Sequence, residues 1–489
     1  MVFRRKLGIR RAVFCILCAS LAALAGLSPQ AQEPPKPAPP KPAQTTPAQQ
    51  SDQKEPATNT QVQTGSVLGT GSASIFSRLA ALFRDHQILE AEKLLDDADA
   101  SNASEKSGKL SPQQAQLYRG ILANRENKPQ NSIRLLEPLL ASLKSTNNPP
   151  EEKLLRKTLA EDYLRAGELA KANQAYLEYE YRFGGSLTSD EKAEIELPVH
   201  LLPLAIANPP MTVEPGEPFS LPYDRDALGL TDVPVFVDAQ SHDWMLDPTV
   251  PFNLICKSTA RQVGLKISDQ SATVQTLTGR PIQVHVTVIP RFTLGTVTFR
   301  NMTAFVFDDA DYYFPKSGYQ VRGVLGYPAV SALGSLTVTA DAKIEVQPGE
   351  KGERLTTGAR FFLDGDQVVA ALGKPGQERM FIVDAGGQQT YMTSRYYSEH
   401  SPDFADKKMQ LLAMPGSQKR PPAPAYVAEN LTLYAGDAPL TLHYVQVLTE
   451  PLDAAAIDDT YGTLGMDALE ELKSYTFDYR TMRFGVKNE

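Results

Sequence analysis

Cysteine is close to absent from this sequence. Only three of its 489 residues are Cys. Cys15 and Cys18 fall in the apolar run behind a basic N-terminus, which leaves Cys256 alone in the body of the chain. One thiol cannot form an intramolecular disulfide, so the body must hold together by burial. Flanked by Leu254 and Ile255, Cys256 reads as a small core residue and not as a nucleophile. Histidine is sparse too: His86, His200, His242, His285, His400 and His443 are scattered, without metal spacing and without a Ser or Cys motif beside them. Metal and serine hydrolase chemistry are set aside on that ground. Basic charge is in deficit, with a net charge of −8 and a pI near 5.5. A phosphate backbone calls for basic surface, so nucleic acid is excluded as a partner. Gly69-Thr70-Gly71 lacks both a preceding strand and a third glycine, which excludes a nucleotide loop.

What is present falls into five segments. Residues 1–27 read as a signal peptide, in which Arg4, Arg5, Lys6, Arg10 and Arg11 precede an apolar run from Ala12 to Leu27. That run is too short and wrongly flanked for a spanning helix, so the expectation is an exported protein, periplasmic or extracellular, with no membrane span once mature. Residues 28–73, rich in Pro, Gln and Thr, cannot bury a core and are expected to form a disordered linker. Residues 74–195 carry helical periodicity: Ile75, Leu79, Leu82 and Phe83, then Leu117, Ile121 and Leu122, then Leu155, Leu159 and Tyr163. Three helix pairs too narrow to bury their own apolar faces should stack. The third pair, Leu159-Ala160…Tyr163…Ala166-Gly167…Ala172…Tyr176, resembles a tetratricopeptide repeat, and a generic helical-hairpin bundle also fits. From Glu196 to Pro222 prolines suggest a linker entering the first sheet. Alternation of period two then marks strands at Val233–Val237, Trp244–Leu246, Gln283–Val288, Phe292–Phe299 and Thr303–Phe307. A second set follows at Arg360–Leu363, Val368–Leu372, Met380–Val383, Leu431–Tyr434 and Leu440–Leu448. Pro348–Arg354 reads as a hinge, His242 as the tip of a hairpin, and Lys419–Pro422 as an exposed loop.

Within the β region one device occurs twice. An apolar strand delivers Asp247 to a turn, and another delivers Asp384 to one. Downstream of Asp247 lies Gly323-Val324-Leu325-Gly326, and downstream of Asp384 lies Gly462-Thr463-Leu464-Gly465. The interval from Asp247 to Gly326 (326 − 247 = 79) nearly equals that from Asp384 to Gly465 (465 − 384 = 81). Each glycine block leads into a strand, tight turn and strand, Leu336–Val346 and Tyr475–Val486. Two landmarks kept at one spacing indicate an internal repeat.

The order of strand, Asp turn, strands and apolar-apolar-Gly resembles one lobe of a retropepsin- or pepsin-type aspartic protease. The Asn253–Leu265 segment ending in Gly264-Leu265 and the hairpin around Val274–Gly279 extend the resemblance, which covers roughly residues 221–489. It implies a multidomain α + β chain: a tetratricopeptide-like helical region, then a bilobal all-β barrel pair with lobes at 221–348 and 355–489. It implies Asp247 and Asp384 as a catalytic dyad, Thr276, Leu277, Thr278 and Gly279 as the flap, and no metal or cofactor. Pro248, Thr249, Ala385, Gly386, Gly326 and Gly465 would support the Asp loops.

Two like charges in near contact share one proton, so one carboxylate can activate water while the other donates to a scissile carbonyl. The sequence departs from the family at the residues after each Asp. Pro248 and Ala385 have no hydroxyl to brace the opposite lobe, and Thr249 stands where the family has a glycine. Lobe two is therefore expected to be usable and lobe one damaged. Two functions follow: an exported aspartic endopeptidase of impaired activity, or an inactive protease-shaped module that binds peptide. The helical stack is available to a protein partner or to the β region itself.

Overall fold

The computed structural model describes residues 74–100, 110–142, 149–226, 229–275, 281–315, 317–349, 352–365, 367–384, 389–413, 422–451 and 458–487. The signal peptide, the Pro-rich linker, the flap tip Thr276–Gly279, Ala385, Gly386 and most of the Lys419–Pro422 loop lie outside them.

Six helices form three hairpins: α1 (Ile75–Arg84) with α2 (Ile88–Ala100), α3 (Pro112–Arg125) with α4 (Pro129–Ser142), and α5 (Pro149–Arg165) with α6 (Leu169–Phe183). Each hairpin turns on one residue at positive φ: His86, Asn127 and Gly167, at 53°, 54° and 73°. In each turn the next N–H reaches back five residues, Gln87 to Leu82 O, Lys128 to Ala123 O and Glu168 to Tyr163 O, at 2.8, 2.8 and 2.9 Å. A left-handed residue with that back-bond is the usual helix stop. Its recurrence makes the helical region a true repeat.

A seventh helix, α7 (Ser189–Ala205), corrects the expectation of a linker from Glu196. Thr188 and Glu191 cap each other across its first turn. The helix persists through Pro198 and Pro203, although an interior proline costs about 3 kcal/mol. Burial offsets that cost: Ile195, Leu197, Val199, Leu201, Leu202 and Ala205 are all removed from water. Among the described residues no helix is long and apolar enough to cross a membrane.

Lobe one is a closed six-stranded barrel. Going round it, the strands are Val297–Phe307, Asn253–Cys256, Gly323–Leu325, Gln240–Leu246, Thr231–Val237 and Pro281–Leu294, which pairs back to the first. The expected strand Phe292–Phe299 instead spans the tight turn at Gly295-Thr296. His242 is not at a hairpin tip but is buried within its strand opposite Val235. Lobe two repeats the order with Ala438–Leu448, Tyr391–Met392, Gly462–Leu464, Arg379–Val383, Gln367–Leu372 and Ala423–Ala435. Strand directions match as well: in each lobe the glycine strand runs parallel to the Asp strand and antiparallel to the next.

A bridging sheet joins the lobes in the order Ala359–Asp364, Arg483–Lys487, Ser474–Asp478, Ser335–Thr339, Lys343–Gln347 and Phe219–Pro222. At its centre Thr337 faces Thr476, with the hydroxyls 2.8 Å apart. Their separation in sequence (476 − 337 = 139) is the offset of the two glycine blocks, and the pairs on either side are symmetric about them. The approximate two-fold axis therefore passes through this pair. The segment expected to be a hinge is tied to the sheet, because Arg480 donates to the carbonyls of Gly349, Gly352 and Glu353.

Candidate active site

Each Asp is placed by the glycine strand beside it. Asp247 donates its N–H to Leu325 O at 3.0 Å, and Asp384 donates to Leu464 O at 2.9 Å. The glycines that follow have no room for a side chain. A Cβ on Gly326 would stand 2.1 Å from Phe252 O, and one on Gly465 would stand 2.6 Å from the Gln389 backbone. The Gly326 N–H donates to Asn253 Oδ1 at 3.1 Å, and the Gly465 N–H donates to Thr390 Oγ1 at 2.9 Å. Asn253 and Thr390 keep the offset of the two Asp residues (390 − 253 = 384 − 247). The sequence reading missed both. With different side chains at the two positions, only the matched spacing could have revealed them.

The Asp247 carboxyl is 2% exposed. Its Oδ1 accepts the Thr249 N–H at 3.0 Å and the Thr249 hydroxyl at 2.8 Å, while its Oδ2 meets no donor among the described residues. Burial raises this carboxyl, the Thr249 bonds act against the rise, and the Asp384 charge adds to it, which leaves it at about 7. Thr249 thus supplies the N–H expected of a glycine, and it does so without a left-handed backbone. Its hydroxyl is directed to the carboxylate of its own lobe. Pro248 is buried in the same turn, and Asp384 is half-buried. Tyr479, from a turn of the bridging sheet, stacks edge-on to Tyr327, and burial together with the nearby Tyr327 and Asp247 raises its hydroxyl. No local signal in the sequence marks Tyr479 for this position.

The helical hairpin turns point at this region. Tyr327, the residue after Gly326, donates to Asn127 Oδ1 at 2.6 Å. Arg165 donates to Gly365 O at 2.6 Å. Asp364 takes Arg125 Nη2 on one oxygen and His86 Nδ1 on the other, both at 2.7 Å, and His86 Nε2 reaches Asp459 at 3.1 Å. The histidines set aside in the sequence thus include one that binds the helical layer to lobe two. Between that layer and both lobes lies a cavity of about 1100 Å³, bounded by Arg125, Tyr179, Phe252, Tyr327, Asp364 and Ile382 among others. Neither Asp lines it, although Phe252 follows the Asp247 turn and Ile382 precedes Asp384.

Residues 233–329 match the family model described as aspartyl protease. Among solved structures, the chain is similar to a retropepsin-like aspartic protease from Rickettsia conorii, at 17% identity with a TM-score of 0.20. That similarity covers 28% of this chain and 93% of the other. No curated protein matches. The matched segment runs from within the Thr231–Val237 strand through Gly326 and into the helix after it, which is the barrel that presents Asp247. The similarity to the aspartyl protease family thus lies in residues 233–329, within the first lobe of the β region.

Proposed function

We propose that the chain is an exported aspartic-type endopeptidase in which Asp247 and Asp384 form one proton-sharing pair. The observation that carries this reading is the state of Asp247: a buried carboxyl raised to about 7, with one oxygen held by Thr249, the other meeting no donor among the described residues, and the Asp384 charge acting on it. In the reactive state the pair shares one proton, held on Asp247, and Asp384 is the ionised partner. Asp384 takes a proton from water, whose oxygen attacks the peptide carbon, while Asp247 donates to the carbonyl oxygen. Collapse of the tetrahedral intermediate breaks the C–N bond, the proton on Asp384 goes to the leaving nitrogen, and a hydroxyl of the intermediate returns its proton to Asp247 as the carboxylic acid forms. No covalent intermediate forms, and the apparent pKa values belong to the pair jointly.

Activity below that of a family member with both motifs intact follows from the lost cross-lobe hydroxyls. A misplacement of about 1 Å in such a pair can cost about 100-fold. The burial of Asp247 supports a second reading, an inactive module that binds peptide. The test is cleavage of denatured protein from pH 3 to 7, with and without a transition-state-mimicking aspartic protease inhibitor. Asp384→Asn should abolish cleavage, and the triple change Pro248→Thr, Thr249→Gly, Ala385→Thr should speed it. If the wild type cleaves nothing and Asp384→Asn still binds peptide, the binding-module reading stands. Export is tested by N-terminal sequencing of the protein from the exported fraction, which should begin after residue 27.

A further inference from the structure

The barrel of lobe one does not itself bury the face that carries Asp247. Side chains alternate along a strand. In Gln240–Leu246, Trp244 points into the barrel and packs on Phe292, so Met245 points out, and Asp247 continues on the Met245 side. Met245 pairs with Val324, and Val324 pairs with Leu254 across the next ladder. Together with Phe305 and Phe307 these residues make an apolar floor on the carboxylate side of the sheet. An open peptide groove would leave such a floor in water, yet Met245, Leu254, Val324, Phe305 and Phe307 are each at most 3% exposed.

The cover is α7. Leu201, itself 1% exposed, meets Leu254, Phe305 and Phe307 on the floor and Val274, Ile282 and Val284 on the hairpin above. The void left among them is about 10 Å³, room for a single water at most. Val274 and Ile282 belong to the two strands leading to the expected flap tip, so α7 lies between that hairpin and the floor beside Asp247. Lobe two is covered on the corresponding side. Met380 alternates with the interior Phe381, so it shares the face of Asp384, and with Phe362, Val369 and Ala371 it joins the helical core. Arg360 is clamped there by Glu92 of α2 and by Glu126.

We propose that α7, anchored by Leu201, occupies the peptide groove of this protease fold, and that the helical layer is a gate that must lift from the lobes before peptide binds. This rests on the reading of that face as the peptide groove. A closed form that binds no peptide lowers the apparent affinity by the fraction of molecules that are open. Weakening the docking of α7 therefore has a direct readout.

The experiment compares the wild type with Leu201→Ala and Leu201→Asp, neither of which alters the Asp turns. It measures binding of a statine-type peptide inhibitor together with amide exchange of residues 189–205, 253–256 and 281–286. Inhibitor binding tighter by about tenfold or more in the variants is expected, with faster exchange in all three segments. In the wild type, saturating inhibitor should deprotect residues 189–205 while protecting 253–256. The wild-type exchange arm decides the matter even if a variant fails to fold. Equal affinity in all three proteins, or continued protection of residues 189–205 with inhibitor bound, overturns the gate and leaves the peptide groove standing. Failure of all three to bind sinks both. Tighter binding without cleavage keeps the gate and sinks only the peptidase reading.

Discussion

Asp364 takes ion pairs from two helical hairpins at once, through His86 and Arg125, and Asp364→Asn tests how far the contact between helices and lobes depends on them. The carboxylate is 12% exposed and faces an Arg125 side chain that is 6% exposed. The substitution keeps the shape and removes the charge. Arg125 is then left with Glu161 at 3.3 Å, and His86 with Asp459, which is nearly half exposed and screened by water. Removing one partner of a buried pair costs about 3–5 kcal/mol, and because Asn still accepts a hydrogen bond the lower figure applies. At about 1 °C per kcal/mol for a chain of this size, Tm should fall by about 3 °C or more.

The pH dependence carries a sign that can be checked. Burial pulls the His86 imidazole down, but Asp364 and then Asp459 more than offset this and leave it raised to about 10. A raised His contributes stability in full below its unfolded value near ~6.5, and that contribution fades as pH rises towards about 10. Burial pushes the Asp364 carboxyl up, while the Arg125 and His86 charges prevail and hold it well below the carboxylate range. Its contribution is present above ~3.9 and is lost as pH falls further. Calorimetry from about pH 2 to 10 on wild type, Asp364→Asn and His86→Gln checks both effects. Wild type should lose stability between pH 6.5 and 10, and His86→Gln should lack that part of the slope. A Tm for Asp364→Asn indistinguishable from that of wild type, or identical slopes for wild type and His86→Gln, would refute the reasoning.

Asp247 gives the opposite kind of slope to a salt-bridged carboxylate. Because its folded value is raised to about 7, its favourable contribution is complete below ~3.9 and disappears as pH rises through about 7. Thermal melts of Asp247→Asn should therefore show a smaller decline between pH 4 and 7 than wild type, and equal declines would count against the raised value. Gly326→Ala would force a methyl group to 2.1 Å from Phe252 O and should destabilise lobe one by about 2 kcal/mol or more, as overpacking of a tight site does. Urea melts that superimpose on those of wild type would show that the turn can yield. Expressing the lobes from residue 206 onward uncovers Met245, Leu254, Phe305, Phe307 and Val324 as one apolar patch, and the product should aggregate. A monomeric, cooperatively folded product in sedimentation and calorimetry would show that the cover is dispensable.

Several features of this molecule could be read in the chain before any contact was known. Apolar residues at helical period marked the hairpins, and period-two alternation marked most strands of the barrels. Above all, the matched spacing of Asp247 to Gly326 and of Asp384 to Gly465 disclosed the two-lobed repeat. Such signals survive in one dimension because backbone geometry fixes which neighbours along the chain share a face. What joins the parts could not be read that way. The Arg360–Glu92 pair closes a separation of 268 residues, and the Tyr327–Asn127 bond one of 200. His86 looked like a stray histidine until Asp364 was brought to it, and Pro198 and Pro203 looked like a linker until burial of α7 outweighed them. Thr249 looked like damage to a glycine turn, yet its N–H meets Asp247 because the loop folds back without needing positive φ. Periodicity and spacing are properties of the local backbone, so the sequence by itself determined the lobes and where their carboxylates emerge. The partner across a buried interface is chosen by the packing of whole elements. Only the tertiary structure could therefore decide that the helical layer packs on the Met245 side of lobe one and the Met380 side of lobe two.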